Sequence, residues 1–452
     1  MSWMAVLPFA GLLACIAILP LIGKTKHAWE KTSVKLLTAL VFGMPMALYS
    51  INKGYGADVA HAVVEYVQFI ILLGSLFVIS GGINVGGDIQ ATPLKNTLFL
   101  AIGGLLASFI GTTGAAMLLI RPICGTISER KYKKHTIIFA IFIIANCGGL
   151  LTPLGDPPLF LGMLRGVPFA WTFTLLPQWF LVNGLLLLSY YALDREMYAK
   201  EPRDNIVSDV KNIVPITVNG KQNFLFLAVV VMSVAFVPTP YREIVMLAAA
   251  GSSYFLTNQV IRRANNFVWE PILEVGTLFI GIFLAMVPAL IYLRQIAPGL
   301  PINALSIFVF TGGLSAVLDN APTYVTFFEI AKEFKMASPS IAGVPEALLQ
   351  AISLGAVFGG AITYIGNGPN FMVKSVAESM KIDMPSFGGY VAWSFKHLVP
   401  ILAMMAFIFI AKDDWANVLG VAGVLGMIAV RAWQIAKSRP PAYIRAAAGR
   451  EI

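Results

Sequence analysis

Gly148-Gly149-Leu150-Leu151-Thr152-Pro153-Leu154-Gly155-Asp156-Pro157-Pro158-Leu159-Phe160 lies inside an apolar run long enough to cross a bilayer, yet it is built to interrupt a helix. Two adjacent glycines loosen the backbone, three prolines remove N–H donors, and an aspartate stands at the gap. Within hydrocarbon such a break is tolerated only where it is buried in protein or lines a cavity. The pattern recurs as Gly359-Gly360-Ala361-Ile362-Thr363-Tyr364-Ile365-Gly366-Asn367-Gly368-Pro369-Asn370-Phe371, matching the glycine pair, Thr152, Gly155, Pro158 and Phe160. Two interrupted spans in corresponding halves of a chain point to a binding site between them.

The surrounding composition fits that reading. Of 452 residues, 58% are hydrophobic and 12% charged, about half the charge of a soluble domain. The apolar runs lack the period-two alternation of barrel strands, so the fold class is an all-α polytopic membrane protein of about 11 spans. No basic segment precedes the first run, 4–22, which reads as a retained helix. Cys15, Cys124 and Cys147 show no paired spacing, so neither a disulfide framework nor a zinc site is implied. His27, His61, His135 and His397 stand at segment ends, where a solvated or interfacial role is expected before a metal ligand.

Two more apolar stretches, 97–123 and 304–331, carry a polar break at mid-length and read as re-entrant hairpins. With both returning to the side they entered, Lys24, Lys26, Lys31, Arg130, Lys131, Lys133, Lys134, Arg195, Lys200, Arg203, Arg262 and Arg263 share one face. The positive-inside rule makes that face cytoplasmic. The net charge of +9 then needs no nucleic-acid partner. The expected location is the cell inner (plasma) membrane, with the amino terminus outside and the carboxy terminus cytoplasmic.

The order of landmarks repeats. Gly103-Gly104-Leu105 and Gly312-Gly313-Leu314 enter the hairpins, Glu65 and Glu274 precede them, and Ala170-Trp171-Thr172-Phe173 corresponds to Ala392-Trp393-Ser394-Phe395. The expected organisation is a peripheral helix and basic loop (1–33) and a first repeat (34–193, broken helix 136–164). A polar linker with a connecting helix follows (194–242). A second, inverted repeat (243–412, broken helix 346–378) precedes a last helix with a basic tail (413–452). Inverted repeats suit alternating access.

The hairpin tips, Ile110-Gly111-Thr112-Thr113-Gly114-Ala115 and Leu318-Asp319-Asn320-Ala321-Pro322-Thr323, converge with the two breaks near the midplane. Such a site exposes carbonyls that suit a hard cation and N–H groups that suit an anion, so backbone alone leaves the sign open. The side chains tilt it toward Na⁺. Asp156 and Asp319 are carboxylates without a lysine or arginine at the tips, and at membrane depth they must be protonated or cation-bound. Both are candidate Na⁺ ligands, although each stands where an N-cap would. Asn320, Asn367 and Asn370 offer carboxamide oxygens. Thr112, Thr113, Thr152, Thr323 and Thr363 could ligate or simply satisfy freed backbone groups. Glu274 is placed to relay protons, with an interfacial glutamate as the plain alternative.

At these residues the chain resembles the ion transporter superfamily, and within it is similar to NhaD-type sodium/proton antiporters and the neighbouring citrate transport family. The Gly-Gly-x-x-Thr-Pro-x-Gly-Asp-Pro-Pro-Leu-Phe run, the Leu-Asp-Asn-Ala-Pro-Thr tip and Thr-Tyr-Ile-Gly-Asn-Gly-Pro-Asn-Phe carry the resemblance, which covers nearly the whole chain. It implies a scaffold, a moving transport domain, elevator-like movement and usually a homodimer. Sodium-coupled dicarboxylate members place Ser-Asn-Thr at both tips, whereas this chain has Gly111-Thr112-Thr113 and Asp319-Asn320-Ala321. A secondary transporter, not an enzyme, is therefore expected: a Na⁺(Li⁺)/H⁺ antiporter, with Na⁺ as transported ion and no other cofactor. The alternative is a citrate, dicarboxylate or metal–citrate symporter. A remoter one is an intramembrane aspartyl protease, on Leu154-Gly155-Asp156 and Pro288-Ala289-Leu290; the first glycine of a Gly-x-Gly-Asp motif is Pro153 here.

Overall fold

Glycine caps the C-terminal ends of the apolar helices that stop at Gly81, Gly111 and Gly360, whereas Pro45, Pro122 and Pro288 lie inside others. The computed structural model describes residues 1–20, 22–29, 31–299, 301–334 and 339–438. The first half contains α1 (Leu7–Ile18), α2 (Gly23–Trp29), α3 (Thr32–Asn52), α4 (Gly56–Ser80), α5 (Pro93–Ile110), α6 (Thr112–Thr126), α7 (Lys134–Ile143), α8 (Pro157–Leu164) and α9 (Leu176–Tyr198). The middle holds α10 (Arg203–Lys211) and α11 (Gln222–Phe236). The second half contains α12 (Tyr241–Leu256), α13 (Gln259–Ala264), α14 (Glu270–Ile296), α15 (Ala304–Ser315), α16 (Asn320–Ala331), α17 (Glu346–Gly359), α18 (Gly368–Ser379), α19 (Phe387–His397), α20 (Val399–Phe409) and α21 (Asp414–Lys437). The basic tail expected at the carboxy terminus lies, beyond residue 438, outside the described residues.

This is an all-α polytopic membrane protein. Among the described residues six helices are long and apolar enough to cross a membrane, and α19 with α20, bent by 41°, would make a seventh. The expected eleven include the two interrupted spans, and each of these is two short helices around a gap: α7 and α8 in the first, α17 and α18 in the second. They also include α11 and α12, which have 15 and 16 residues. The run 4–22 also yields a shorter helix, Trp3–Ile18.

The stretch 97–123 folds back on itself. The chain turns at Gly111 (φ 81°), and Gly103 and Leu119, eight residues to either side, meet: a Cβ on Gly103 would lie 2.9 Å from Leu119 Cδ1. So α5 and α6 form a hairpin, although α5 alone has the length of a span. α15 and α16 touch each other and both pack on α17. Hairpin and broken helix approach to backbone contact in both halves. A Cβ on Gly148 would lie 2.7 Å from Gly104 Cα, and one on Gly359 would lie 2.6 Å from Gly312 Cα. Only glycine fits there.

Helices α1, α3, α4, α11, α12 and α14 pack as one group. The hairpins, the broken helices, α9, α20 and α21 form a second. Helices α4 and α14 line the seam: α4 touches α6 and α8, and α14 touches α16. Phe69 stacks on Phe279 at 5.0 Å between them, and the Tyr66 hydroxyl donates to the Gly276 carbonyl at 2.8 Å.

The polar linker after α9 is more structured than expected. Helix α10 is followed by β1's partner strand: β1 (Asn84–Asp88) pairs antiparallel with β2 (Val214–Asn219). Arg130, read above as a loop base, is buried, donating to Asp194 Oδ1 at 2.8 Å and Glu201 Oε1 at 3.3 Å. His135 and His397 are also buried rather than interfacial. The first meets Asp194 Oδ1 at 2.7 Å, and the second stacks on Trp393 at 5.1 Å.

Candidate functional site

The site forms where the two breaks meet the two hairpin tips. Asp156 and Asn367 hold matching positions, each preceding the second half of its broken helix, with extended backbone at φ −142° and −153°. Neither side chain caps its helix. For Asp156 the reason is chemical: Pro158 has no N–H for a capping carboxylate, and that of Leu159 goes to the Asp156 carbonyl at 3.1 Å. Its carboxylate therefore turns into the site.

Asp156 is 1% exposed and is held by three neutral donors. The Thr112 hydroxyl donates to Oδ1 at 2.9 Å, Asn367 Nδ2 to Oδ1 at 3.3 Å, and Asn320 Nδ2 to Oδ2 at 2.5 Å. No ion pair reaches it among the described residues. Hairpin one, hairpin two and the second break thus converge on one carboxylate from the first break. Asn320 is fully buried, and its Oδ1 has no donor among the described residues.

Asp319 behaves differently. Its Oδ1 accepts from Ala321 N at 3.1 Å, capping α16, while the residue lines a cavity of about 90 Å³. Thr112, Thr113, Gly111 and Asn367 line the same cavity from the tips and break. Leu76, Val275 and Phe279 close it from α4 and α14. There is room for several waters or a partly hydrated ion. Among the described residues the cavity lining includes the oxygen-bearing side chains of Thr112, Thr113, Asp319 and Asn367 and no lysine or arginine.

The other threonines serve the backbone. Thr152 donates to the Ser108 carbonyl and accepts from Leu154 N at 3.1 Å. Thr363 donates to the Ala316 carbonyl and accepts from Ile365 N and Gly366 N at 3.2 Å each. Thr323 bonds the Asp319 carbonyl one turn back, at 3.0 Å. Asn370 donates to the Gly360 and Thr363 carbonyls at 2.7 and 2.8 Å, so it braces the second break from within.

Two residues that the sequence reading passed over complete the site. Asn146 accepts from Asn367 Nδ2 at 3.1 Å and donates to Asn370 Oδ1 at 2.7 Å, joining the two breaks. The Ser108 hydroxyl donates to the Gly148 carbonyl at 2.5 Å and fastens hairpin one to the first break. A single polar residue between apolar neighbours was their only signal.

Glu274 is not brought to the site. It pairs with Lys35 of α3 at 2.6 Å and is half-buried. Its repeat counterpart Glu65 lies toward the opposite end of the α4–α14 pair, in a buried ion-pair cluster. Arg165, just after α8, meets Glu65 at 2.6 Å and Glu329 of α16 at 3.2 Å, and Arg294 of α14 meets Glu329 at 2.6 Å. These residues line a second cavity of about 400 Å³. Pro288-Ala289-Leu290 falls in that end of α14, away from the stretch of α14 that lines the first cavity.

A family model described as "Putative citrate transport" matches residues 1–410. A "46 kDa membrane protein" of Mycobacterium leprae (strain TN) is 26% identical over 316 residues, which are 64% of this chain and 71% of that protein.

Proposed function

Because the chain belongs to the Putative citrate transport family, we propose that this membrane transporter exchanges Na⁺ or Li⁺ for protons at Asp156. The observation that carries the proposal is a fully buried carboxylate that, among the described residues, is held only by neutral donors beside a cavity without a basic side chain. At membrane depth such a group holds either a proton or a metal ion, and each excludes the other. Asp156 is the exchanging group. Thr112, Asn320 and Asn367 hold it in place, and Asn320 Oδ1, unpartnered among the described residues, with Thr113 and Asp319 of the cavity lining, would supply further oxygens. Alternating access follows from the inverted halves proposed over 34–193 and 243–412, with the basic face on the cytoplasmic side.

Citrate or a related carboxylate is the second reading. The family's description favours it, as do the N-termini of α8 and α18 that face the site. One preparation decides between them. Everted vesicles carrying a pH dye should show proton movement on adding Na⁺, and Asp156→Asn should abolish it in a protein that still purifies as folded. Absence of any Na⁺ response across neutral to alkaline pH, with labelled citrate taken up instead, defeats the cation reading.

A further inference from the structure

Asn146 is fully buried between α7 and the turn Cys147–Leu150, and its amide forms the middle of a chain of three. The chain starts at Asn370, whose NH2 is committed to the Gly360 and Thr363 carbonyls freed at the second break. A carboxamide has one donating and one accepting end, and a carbonyl only accepts, so Asn370 must present its oxygen on the other side. Asn146 Nδ2 donates to that oxygen at 2.7 Å and to the Ile141 carbonyl at 2.8 Å. Asn146 must then present Oδ1 to Asn367, whose Nδ2 donates to it at 3.1 Å. Asn367 Nδ2 also reaches the Ala145 carbonyl at 3.2 Å and Asp156 Oδ1 at 3.3 Å. All donor capacity of Asn367 is thereby directed into the protein, and Oδ1 is the atom it has left for the cavity it lines.

We propose that Asn146 is a positioning residue that sets the sign of charge the site accepts. By relaying the polarity of two backbone carbonyls through Asn370, it holds Asn367 with its N–H groups on Asp156 and its oxygen toward the occupant. The reversed amide would present N–H donors to the cavity, as a carboxylate ligand requires, and would set an oxygen against Asp156. This rests on the cation reading above. Removing the Asn146 side chain leaves Asn367 Nδ2 with its two longer bonds, to the Ala145 carbonyl and Asp156, and leaves Asn370 Oδ1 without its Asn146 donor, so the amide of Asn367 is held less tightly.

The test is a cycle of four proteins in proteoliposomes: wild type, Asn146→Ala, Asn367→Ala and the double variant. Na⁺-driven proton movement is measured against Na⁺ concentration. Asn146→Ala is expected to raise KM for Na⁺ about tenfold, the scale of one hydrogen bond to a charged site, with maximal rate within about twofold. Because Asn146 acts through Asn367, the double variant should have the KM of Asn367→Ala alone. A merely structural asparagine would lower the amount of folded protein or the maximal rate and leave KM in place. An unchanged KM in Asn146→Ala, or effects that multiply in the double variant, overturns the orientation while the antiporter reading stands. A wild type that moves no Na⁺ but takes up labelled citrate overturns the cation reading and the sign argument together.

Discussion

Outside the candidate site, Arg165 is a residue whose loss the structure makes costly. Its guanidinium is buried and joins Glu65 of α4 to Glu329 of α16, across the seam between the two helix groups. In Arg165→Gln, Glu329 keeps Arg294 at 2.6 Å and Lys332 at 3.3 Å. Among the described residues Glu65 keeps only His61, at 3.4 Å and largely exposed. The loss therefore falls on one buried carboxylate stripped of its cation, a change that costs about 3–5 kcal/mol. Glu65→Gln in the same protein removes the charge that had been stranded, and the double variant should recover to within about 1 kcal/mol of wild type. Unfolding of the purified protein in a mild detergent, followed in parallel for the two single variants and the double, reads all three differences. Equal destabilisation of Arg165→Gln and the double variant would refute the reasoning, because it would mean that Glu65 was never dependent on Arg165.

Gly148→Ala should prevent stable assembly, since its Cβ would lie 2.6 Å from the Ile143 carbonyl oxygen and 2.7 Å from Gly104 Cα. Gly184→Ala, on α9 with open space around it, should be harmless; monodispersity in size-exclusion chromatography distinguishes them. Thr112→Val, which deletes a donor to Asp156, should raise KM for Na⁺ several-fold, whereas Thr323→Val should not, as its hydroxyl bonds only backbone in its own helix. Burial lifts Asp209 of α10 from its usual 3.8 to about 6. Its folded value exceeds its unfolded one, so the ionised form is the costly one. That cost is full above pH 6 and fades as pH falls toward 4. Asp209→Asn should therefore raise the melting temperature at pH 7–8 and converge with wild type near pH 4; a lower melting temperature at pH 7–8 would contradict this.

Local chemistry made the breaks and tips legible in the sequence. Gly148-Gly149 and Gly359-Gly360 are there because main chain meets main chain, and a glycine pair in an apolar run has few other uses. The meeting of Asp156, Thr112, Asn320 and Asn367 followed from placing four such interruptions at one depth. The division of labour between the two aspartates was less accessible. Both precede a helix, but Pro158 has no N–H for the Asp156 carboxylate and that of Leu159 goes to the Asp156 carbonyl, whereas Ala321 keeps its own and binds Asp319. Asn146 was hidden for another reason. Its meaning lies in Asn367 and Asn370, more than 200 positions away, and nothing in Ala145-Asn146-Cys147 encodes a partner at that separation. Strand β2 exists only because β1 lies beside it, so its segment carries no decisive pattern of its own. Arg130 and His135 look like surface bases until α9 supplies Asp194.

The fastening of each hairpin to its neighbouring break has a mechanical consequence. Hairpin one is stitched down by Ser108 to the Gly148 carbonyl, by Thr152 to the Ser108 carbonyl and by Thr112 N to the Gly155 carbonyl at 2.7 Å. Hairpin two is held by Ser315 to the Ala356 carbonyl at 2.7 Å and by Thr363 to the Ala316 carbonyl. A tip that swung as a lid would break these bonds. On the proposed transport reading each hairpin and its neighbouring break would move as one block, past Phe69, Leu76 and Phe279 and at the cost of the Arg165–Glu65 pair that crosses the seam.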